Sequence, residues 1–572
     1  MNVMKAQQTR QIRRAALAAG VGAVLVAGVL VFVPDREREA APGPEERAMA
    51  AVGAGAPAAP ADLAALIRDR ETWLRAHPGD GAAWAVLGSA YVQRGEGLAD
   101  PAYYPKAERA LRRSLAVAEA SAAKSAKSEG AAKSHEAAKS DGADGAAKSG
   151  NSGAGTGGGA DDGKTGAVRN PEALLGLAAL ANARHDYAAA KRWAETVRGR
   201  HPGQWAAYPV LITAYSGLGE YAAAGRALSK LKDLRADAPT LTRAAEVYRD
   251  KGWREDAEAK ATEAVAGAAT PAEKARALHT LGELAWERGE PAEALGHYNA
   301  ALAVTRDQAA SLAGRARTLA SLGRTDEASR DYQAALGKLP RPPYALELGE
   351  LYDSMGLDGD ARTQYEALRE RAGTARGNGV NEELVLARFE ADHGDPQAAV
   401  ARMKSEWGQL HRSTEAADTL GWALFRAGQE KEALKYAKRA TTQGVRSALF
   451  SYHRGEIERA LGMYGPARRH LADALRVNPH FSPLLAPRAL DALEALGEPA
   501  DGGPVDVEGT GPQAPTLTRK TPAASAGPAD PAGPATPAAT VSPSAPAAPE
   551  TVTPVPVPPV ATASAGASVP GA

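Results

Sequence analysis

The stretch that decides the fold is Ala275–Gln308, ARALHTLGELAWERGEPAEALGHYNAALAVTRDQ, which describes two short helices. The break at Gly289-Glu290-Pro291 ends the first helix and starts the second. Each half carries an apolar stripe at spacings of three and four residues: Leu278, Leu281 and Ala285, then Ala294, Tyr298 and Ala301. Because neither stripe can be buried alone, the two helices are predicted to pack together as a hairpin.

Small residues mark the place where the two helices cross. Gly282 in the first helix and Ala294 in the second leave room for close approach, since larger side chains would push the helices apart. Each helix still exposes an apolar flank, which only a neighbouring hairpin can cover. The unit therefore predicts a stack of hairpins rather than an isolated pair.

The same offsets recur along most of the chain. The next copy begins at Ala309, and about ten copies fill roughly Gly81–Phe481. The first copy has the clearest opening helix, with Trp84, Leu87, Gly88 and Tyr91. Three positions depart from the pattern: Arg315 and Arg454 replace the usual leucine, and Glu390 replaces the usual tyrosine.

These residues resemble the tetratricopeptide repeat (TPR), whose pattern is W-x2-L-G-x2-Y followed by Ala, an aromatic residue, Ala and Pro. The resemblance implies an all-α fold, a right-handed superhelical α-solenoid of about ten TPR helix hairpins. In this family the first helix of each pair lines an inner concave groove that binds a protein or peptide. The family serves many partners, so the fold does not identify the ligand.

The resemblance selects a set of side chains along the first helices as the partner-binding groove. Trp286, Trp422 and Phe425 are the strongest candidates, because large aromatic residues beside arginine are enriched where binding energy concentrates; the alternative is that they belong to the core. The set lacks the paired Lys/Asn arrangement with which related proteins clamp a C-terminal carboxylate. Its members are Glu246, Arg249, His279, Glu283, Trp286, Arg317, Glu350, Asp353, Arg388, Trp422, Phe425, Arg426, Tyr452 and Arg459.

Composition narrows the class of partner. The 572 residues contain 68 basic and 68 acidic side chains, so no net charge attracts nucleic acid or an anionic surface. The chain has no cysteine, which excludes disulfides, thiolate metal sites and a cysteine nucleophile. Its richness in Ala, Arg and Gly hints at a bacterial source with GC-rich coding.

Residues 1–34 are predicted to form a cytoplasmic basic stub and a transmembrane signal anchor. Four basic residues precede an uncharged run, Ala15–Val33, which at about 1.5 Å per residue nearly spans a hydrocarbon core of about 30 Å. The bulky and charged residues that follow lack a cleavage site of small residues, so an uncleaved anchor is favoured over a cleaved signal. Because the positive charges stay inside, the repeats and the C-terminus are predicted to be extracytoplasmic.

Composition also divides the rest of the chain. A flexible spacer is predicted for residues 35–61, a capping helix and the first repeat for 62–120, and a disordered Ala/Lys/Ser/Gly insertion for 121–166. The repeat array occupies 167–481, a second capping helix 482–498, and a Pro/Ala/Thr-rich disordered tail 499–572. In the second capping helix, Pro487 is predicted to start the helix, and its inner face is predicted to be Leu490, Leu493 and Leu496.

The insertion invites a nucleic-acid interpretation because it repeats an Ala-Ala-Lys-Ser tract. Its six lysines are matched by six carboxylates, so the charges cancel and a solvated segment is favoured. Residues 158–165 fit the phosphate-loop motif G-x-x-x-x-G-K-[ST], which leaves a P-loop NTPase as an alternative. That motif needs a strand before it and a helix after it, and its Gly-rich surroundings predict neither.

We therefore expect a non-enzymatic interaction scaffold, anchored in the cell membrane, that binds a partner peptide or domain in its groove. No catalytic residue, metal ligand or cofactor is predicted, since neither an H-E-x-x-H motif nor a Ser/His/Asp set stands out. The order of anchor, lone helix and first repeat also resembles the membrane-tethered TPR subunits of cytochrome c maturation. A haem-lyase-like assembly role is therefore the first alternative.

Overall fold

The computed structural model describes residues 43–53, 58–140 and 170–497, and these ranges contain 23 helices and no β-strand. The first twelve helices are α1 (Pro44–Gly53), α2 (Pro60–Ala76), α3 (Gly81–Leu98), α4 (Tyr103–Ser140), α5 (Pro171–Ala183), α6 (Tyr187–Arg200), α7 (Ala207–Gly217), α8 (Tyr221–Leu234), α9 (Ala238–Asp250), α10 (Arg254–Gly267), α11 (Pro271–Glu287) and α12 (Pro291–Val304). The remaining eleven are α13 (Ala309–Ser321), α14 (Thr325–Lys338), α15 (Pro342–Ser354), α16 (Asp358–Gly377), α17 (Glu383–His393), α18 (Pro396–Gly408), α19 (Thr414–Arg426), α20 (Glu430–Thr442), α21 (Ala448–Ala460), α22 (Tyr464–Val477) and α23 (Leu485–Ala495).

The helices pack in consecutive pairs, so the described residues contain ten hairpins, from α3–α4 to α21–α22. Helices α1 and α2 precede the first hairpin, and α23 follows the last. Each hairpin also packs against the next one along the chain. The protein is an all-α solenoid of TPR-like hairpins, which confirms the fold class predicted from the sequence.

Local sequence signals set the ends of the helices. Asp186, Asp237 and Thr270 each accept a hydrogen bond from a backbone N–H in the first turn of the helix that follows. In seven of the ten hairpins the first helix ends at a glycine with φ between 72° and 77°, a conformation that other residues rarely adopt. These glycines are Gly219, Gly252, Gly289, Gly323, Gly356, Gly428 and Gly462.

The core follows the two stripes read from the sequence. All six stripe residues of α11 and α12 are buried, and Ala285, Ala294, Tyr298 and Ala301 are completely inaccessible to solvent. A Cβ at Gly282 would lie 2.6 Å from the Tyr298 ring, so only glycine lets the two helices approach this closely. The predicted close crossing is therefore confirmed.

The three departures from the repeat pattern are stabilised by ion pairs. Arg315 donates to Asp331 at 2.6 Å, and Arg454 donates to Glu458 at 2.9 Å. Glu390 accepts from Arg402 at 2.6 Å. Charged groups replace apolar residues at these positions without leaving a buried charge unpaired.

The prediction of a flexible spacer over 35–61 is wrong for its central part, which forms α1. Pro44 opens the helix and Glu45 lies in its first turn, both of which favour a helix start. Ala48 is fully buried, and Arg47 forms an ion pair with Asp62 of α2 at 2.6 Å. The predicted capping helix is present as α2, which buries Leu66 and Leu74.

The predicted disorder of 121–166 is also wrong for its first part, because α4 continues to Ser140. Residues 121–140 are mainly Ala, Lys, Ser and Glu, and all of these except serine are good helix formers. The remainder of the insertion, including the motif at 158–165, lies outside the described residues. So do the predicted anchor and the predicted tail.

The second capping helix differs from its prediction in its start and its inner face. It begins at Leu485 rather than at Pro487, and it buries Ala486, Ala489 and Ala492. Leu490 is 48% exposed, whereas Leu493 and Leu496 are partly buried. The small alanines face inward because α23 lies close to the last hairpin.

Within the described ranges, no helix combines the length and the apolar composition that crossing a membrane requires.

Candidate functional site

Successive turns of the solenoid contact one another. The backbone N–H of Asn381 donates to the carbonyl of Arg184 at 2.9 Å, and Thr414 N–H donates to the Tyr221 hydroxyl at 2.9 Å. Asn478 donates to the carbonyl of Trp286 at 2.8 Å. The partners in the last two contacts are 193 and 192 residues apart, between five and six 34-residue units. We call this line of contacts the seam.

The seam joins two kinds of loop. On one side lie the turns inside the hairpins α5–α6 to α11–α12, and on the other lie the connections before α17, α19, α21 and α23. The guanidinium of Arg254, just after the turn of Gly252, donates to the carbonyl of Arg446 at 2.7 Å. A Cβ at Gly252 would collide with the carbonyl of Gly444, so the two backbones are in direct contact. The seam closes one side of the concave groove expected from the sequence, and we call the space behind it the channel.

The channel contains a cavity of about 1020 Å³. The largest part of its wall comes from the first helices of the later hairpins, α13, α15, α17, α19 and α21, and the far side comes from α23 and the loop before it. Apolar side chains such as Trp286, Leu346 and Phe481 alternate with charged ones. Such a mixed wall can hold both the apolar and the polar parts of a ligand.

Carboxylates outnumber cations on this wall. Three arginines line it, Arg317, Arg341 and Arg388, and no lysine does. Seven carboxylates line it: Glu347, Glu350, Glu382, Asp392, Glu406, Glu415 and Asp418. The cavity therefore carries a surplus of negative charge although the whole chain is neutral.

Several wall charges pair across neighbouring hairpins. Arg317 on α13 donates to Glu283 on α11 and to Glu347 on α15, each at 3.2 Å. Tyr298 donates to Glu283 at 2.6 Å, and Tyr332 donates to Glu347 at 2.8 Å. Three consecutive first helices are thus fixed side by side on the inner wall.

These pairs shift the ionisation of their members. Burial would raise the pKa of the Glu283 carboxyl, but Arg317 and the Tyr298 hydroxyl lower this pKa to about 2. Burial would likewise raise the pKa of Glu246, but Arg243 and Arg276 lower it to about 2. Both groups are therefore ionised at neutral pH.

Other wall carboxylates have too little positive charge nearby. Burial raises the pKa of Glu350, against the opposing effect of His393, which lies 3.6 Å away. His393 also lies 3.5 Å from Asp353. Burial alone would lower the pKa of His393, but Glu350 and the neighbouring aspartates raise it.

A buried His–Asp pair lies at the C-terminal part of the cavity wall. His453 Nδ1 is 3.0 Å from Asp418, and the imidazole stacks on Trp422 with ring centroids 4.0 Å apart. In the neutral ring with its proton on Nδ1, that N–H donates to the carboxylate and Nε2 is an acceptor. Nε2 is buried and has no hydrogen-bond partner among the described residues.

Two further wall carboxylates, Glu382 and Glu415, form no hydrogen bond or ion pair between side chains in the described ranges. Arg341 is likewise without such a bond. All three act electrostatically on Tyr187: burial raises the Tyr187 pKa to about 12, the two carboxylates add to the rise, and Arg341 opposes it. Tyr187 itself lies at the seam, 5.7 Å from the ring of His411.

The predicted groove residues occupy the inner side of the solenoid in different ways. Four of the fourteen line the cavity: Trp286, Arg317, Glu350 and Arg388. Five more contact other charged or aromatic groups: Glu246, Arg249, His279, Glu283 and Asp353. Arg426 lies 3.5 Å from Asp392, and Arg459 donates to Glu456 at 2.7 Å. Whether any of them binds a partner stays a prediction.

The three aromatic candidates differ in their surroundings. Trp422 is 4% exposed and its indole N–H donates to Asp392 at 3.0 Å, which fits the core alternative. Phe425 lies 5.1 Å from Trp422, and Tyr452 continues this aromatic cluster to Phe481 at 5.6 Å. Trp286 is 7% exposed but lines the cavity, so it alone of the three can contact a ligand there.

Sequence reasoning missed Glu382, Glu415, Asp418, His453 and the seam. Glu382 and Glu415 lie at the starts of α17 and α19, a position at which acidic residues are common for helix stability alone. Acidic and basic residues are nearly equal in number over the last four repeats, so composition gave no signal for these two carboxylates. The seam had none, because it depends on how far each hairpin rotates relative to the previous one.

No protein-family model and no curated protein matches the chain. Solved structures that are similar to it include a tetratricopeptide repeat protein from Parabacteroides merdae, with 19% identity over 46% of this chain and 99% of that one, at a TM-score of 0.28. The APC/C hetero-tetramer Cut9–Hcn1 has 14% identity over 77% of this chain and 84% of that one, at a TM-score of 0.37. Yeast Tom70 has 13% identity over 78% and 87%, at a TM-score of 0.30. The fold assignment rests on the hairpins described above.

Proposed function

We propose that the protein is a non-catalytic interaction scaffold whose channel binds a segment of a partner polypeptide. The observation that carries the proposal is the cavity of about 1020 Å³ behind the seam, slightly larger than the roughly 300–1,000 Å³ typical of small-molecule sites. The cross-hairpin pairs of Arg317 hold its wall in place before a ligand arrives. Binding at equilibrium is the whole mechanism.

We further propose that Ala15–Val33 anchors the scaffold in the cell membrane, with the repeats and the C-terminus outside the cytoplasm. The support is the sequence alone: an uncharged run of sufficient length that follows four basic residues. The full chain should sediment with membranes, and a variant without residues 1–34 should not. External protease should digest the repeats in intact spheroplasts; protection of the repeats would overturn the orientation.

Site-specific photo-crosslinking tests the binding role. The full chain carries p-benzoylphenylalanine either in place of Ser354, which lines the cavity, or in place of Glu370, which is exposed on the outer helix α16. The proposal expects one defined adduct from the Ser354 position in membranes and none from the Glu370 position. Adducts that form equally from both positions would contradict a channel ligand.

A further inference from the structure

The distribution of charge in the channel identifies the class of polypeptide that fits it. Seven carboxylates face three arginines on the cavity wall, so acidic groups outnumber basic ones in a confined space. Charges of one sign inside a low-dielectric wall focus the electrostatic potential and attract the opposite charge. This argument deepens the proposed function and rests on it.

The unpaired groups are concentrated in one part of the wall. Glu382 is the N-cap of α17 and Glu415 lies in the first turn of α19, so both lie near the start of the first helix in successive hairpins. Neither side chain makes a hydrogen bond or an ion pair within the described residues. Burial raises the pKa of Glu382, and the nearby His185 and Arg341 oppose that rise. Both carboxylates are therefore without a cation at ion-pair distance among the described residues.

Aromatic rings lie beside these carboxylates. Tyr187 lines the cavity from the opposite side of the seam, with the His411 ring 5.7 Å away. An ammonium or guanidinium group is attracted both to carboxylates and to the face of an aromatic ring. A cationic side chain between the carboxylates and the Tyr187 ring would be attracted to both.

A buried acceptor without a partner provides an independent observation. His453 is 5% exposed, lines the cavity and faces Asp418 through Nδ1, so that in the neutral ring with its proton on Nδ1 the Nε2 atom is an acceptor. Nε2 meets no donor among the described residues. A donor-rich ligand such as a lysine or arginine side chain supplies what this acceptor lacks.

We propose that the channel binds a basic polypeptide segment and that Glu382 and Glu415, together with Tyr187, receive one of its lysine or arginine side chains. The sign of the wall charge selects against acidic segments, because a carboxylate in the channel would meet further carboxylates. The remaining basic residues of the segment face the other wall carboxylates, while its apolar residues contact the Trp286 side of the cavity.

The test measures binding of three fluorescent dodecapeptides to the full chain in detergent micelles, with sequences alternating alanine with lysine, glutamine or glutamate. The lysine peptide is expected to bind at least tenfold more tightly than the glutamine peptide, and the glutamate peptide not at all. The affinity should fall as salt is added. Spermidine is the competing small cation, and spermidine binding as tight as that of the peptide would overturn the assignment to a polypeptide.

Two double variants distinguish binding at Glu382 and Glu415 from a general electrostatic attraction between the peptide and the protein. The double variant Glu382→Gln with Glu415→Gln should bind the lysine peptide at least tenfold more weakly than the wild type does. The matched control, Asp358→Asn with Asp360→Asn, removes two charges from another helix start, outside the channel, and should change binding less than twofold. Equal losses in both double variants would overturn the proposed site.

The two proposals fail in different ways. If the lysine and glutamine peptides bind equally and both crosslink from the Ser354 position, the basic-ligand inference is wrong but the scaffold role stands. If no peptide binds and the Ser354 position yields no adduct in membranes, the scaffold role itself is wrong. Thermal unfolding of each variant without peptide confirms that the folded chain is being compared.

Discussion

At the scale of single residues, Tyr298 shows how a repeat unit is built around one side chain. Its ring is completely buried, and a Cβ at Gly282 or Gly314 would lie within 2.6 Å of it. Its hydroxyl reaches the inner wall, where it donates to Glu283 at 2.6 Å. The same residue therefore fills the core of two hairpins and orients a charge in the channel.

Gly282→Ala should lower the free energy of unfolding by about 1–3 kcal/mol, because the added methyl overpacks against the Tyr298 ring. Gly296→Ala is the matched control: Gly296 is exposed within α12 and nothing lies within 4 Å of its Cβ position. Gly296→Ala should raise the free energy of unfolding by roughly 0.5–1 kcal/mol, because alanine has a higher helix propensity than glycine. Denaturant unfolding measures the free energy of unfolding of both variants. Changes of the same sign in the two variants would contradict the close crossing of α11 and α12.

Glu283→Gln should remove a pH-dependent part of the stability. The carboxyl pKa falls from its ordinary value of 4.5 to about 2 on folding, so its contribution is present above about pH 4.5 and is lost as the pH falls toward 2. The loss at pH 7 is at most about 3–4 kcal/mol, since one pKa unit corresponds to about 1.4 kcal/mol. Urea unfolding at pH 7 and pH 3 should show a smaller difference from wild type at pH 3.

The sequence predicted the residues of the core better than those of the channel. Periodicity alone identified Leu281, Tyr298 and their equivalents, because burial of a stripe depends only on spacing along one helix. The partners of channel residues are on other hairpins, as with Arg317 between Glu283 and Glu347. Spacing does not specify which charges meet across helices, so Glu382, Glu415 and His453 were not identified.

At the scale of elements, the turn glycines serve two roles. All seven allow the left-handed backbone that ends a first helix, but only some also contact the next solenoid turn. Gly252 faces the Gly444 carbonyl, whereas nothing lies within 4 Å of a Cβ at Gly323, although its φ is nearly the same, 74° against 76°. Turn glycines with the same sequence pattern therefore differ in their tertiary contacts.

Comparison of Gly252→Ala with Gly323→Ala isolates the seam contact. Each variant should lose about 1 kcal/mol for placing alanine in a left-handed conformation. Gly252→Ala should lose a further 1–3 kcal/mol, because the methyl pushes the Gly444 backbone away. Equal losses of the free energy of unfolding, measured with denaturant, would show that the seam contact contributes nothing to stability.

The long helix α4 is only partly integrated into the array. Ser114 donates to the Gly81 carbonyl and accepts from Asn170, whereas residues 123–125 are exposed. Replacing residues 124–168 with a short Gly/Ser linker should therefore change the free energy of unfolding by less than about 0.5 kcal/mol. Asn170→Ala, which removes both the Ser114 bond and the cap of α5, should cost about 1–2 kcal/mol. Thermal unfolding compares the two.

The incorrect predictions of disorder for residues 121–140 and for α1 have one cause. Alanine, lysine and serine in 121–140, and Ala/Pro/Gly around α1, were interpreted as disorder because they offer little apolar surface. Helix propensity acts independently of burial, and in α1 the buried Ala48 and the ion pair of Arg47 with Asp62 of α2 add tertiary contact. Composition is thus a weaker guide than periodicity where residues are small.

At the scale of the whole molecule, the closed seam can be measured as a distance. The chain has no cysteine, so spin labels attach only at introduced positions. Labels on Glu255→Cys and Gln443→Cys, both exposed and adjacent to the Arg254–Arg446 contact, should give one short, narrow distance distribution. Adding Gly252→Val should lengthen and broaden it, and a broad distribution without that substitution would contradict a closed channel.

The repeat pattern predicted a solenoid but not its pitch. A 34-residue unit fixes the contact between neighbouring hairpins, and small rotations at each contact add up over a full turn. Contacts between residues 192 or 193 positions apart therefore depend on the sum of five or six rotations. The enclosure of the groove follows from that sum and has no local sequence signature.

The seam also changes how the array should come apart. In a linear repeat protein each unit touches only the units before and after it, so unfolding can begin at an end and spread as in a one-dimensional Ising chain. Bonds such as Asn478 to Trp286 tie the last hairpin to the middle of the array, and fraying from the C-terminal end must break them. Cooperativity is thereby extended over whole turns, and a protein of this length should melt in fewer, sharper steps than an open solenoid.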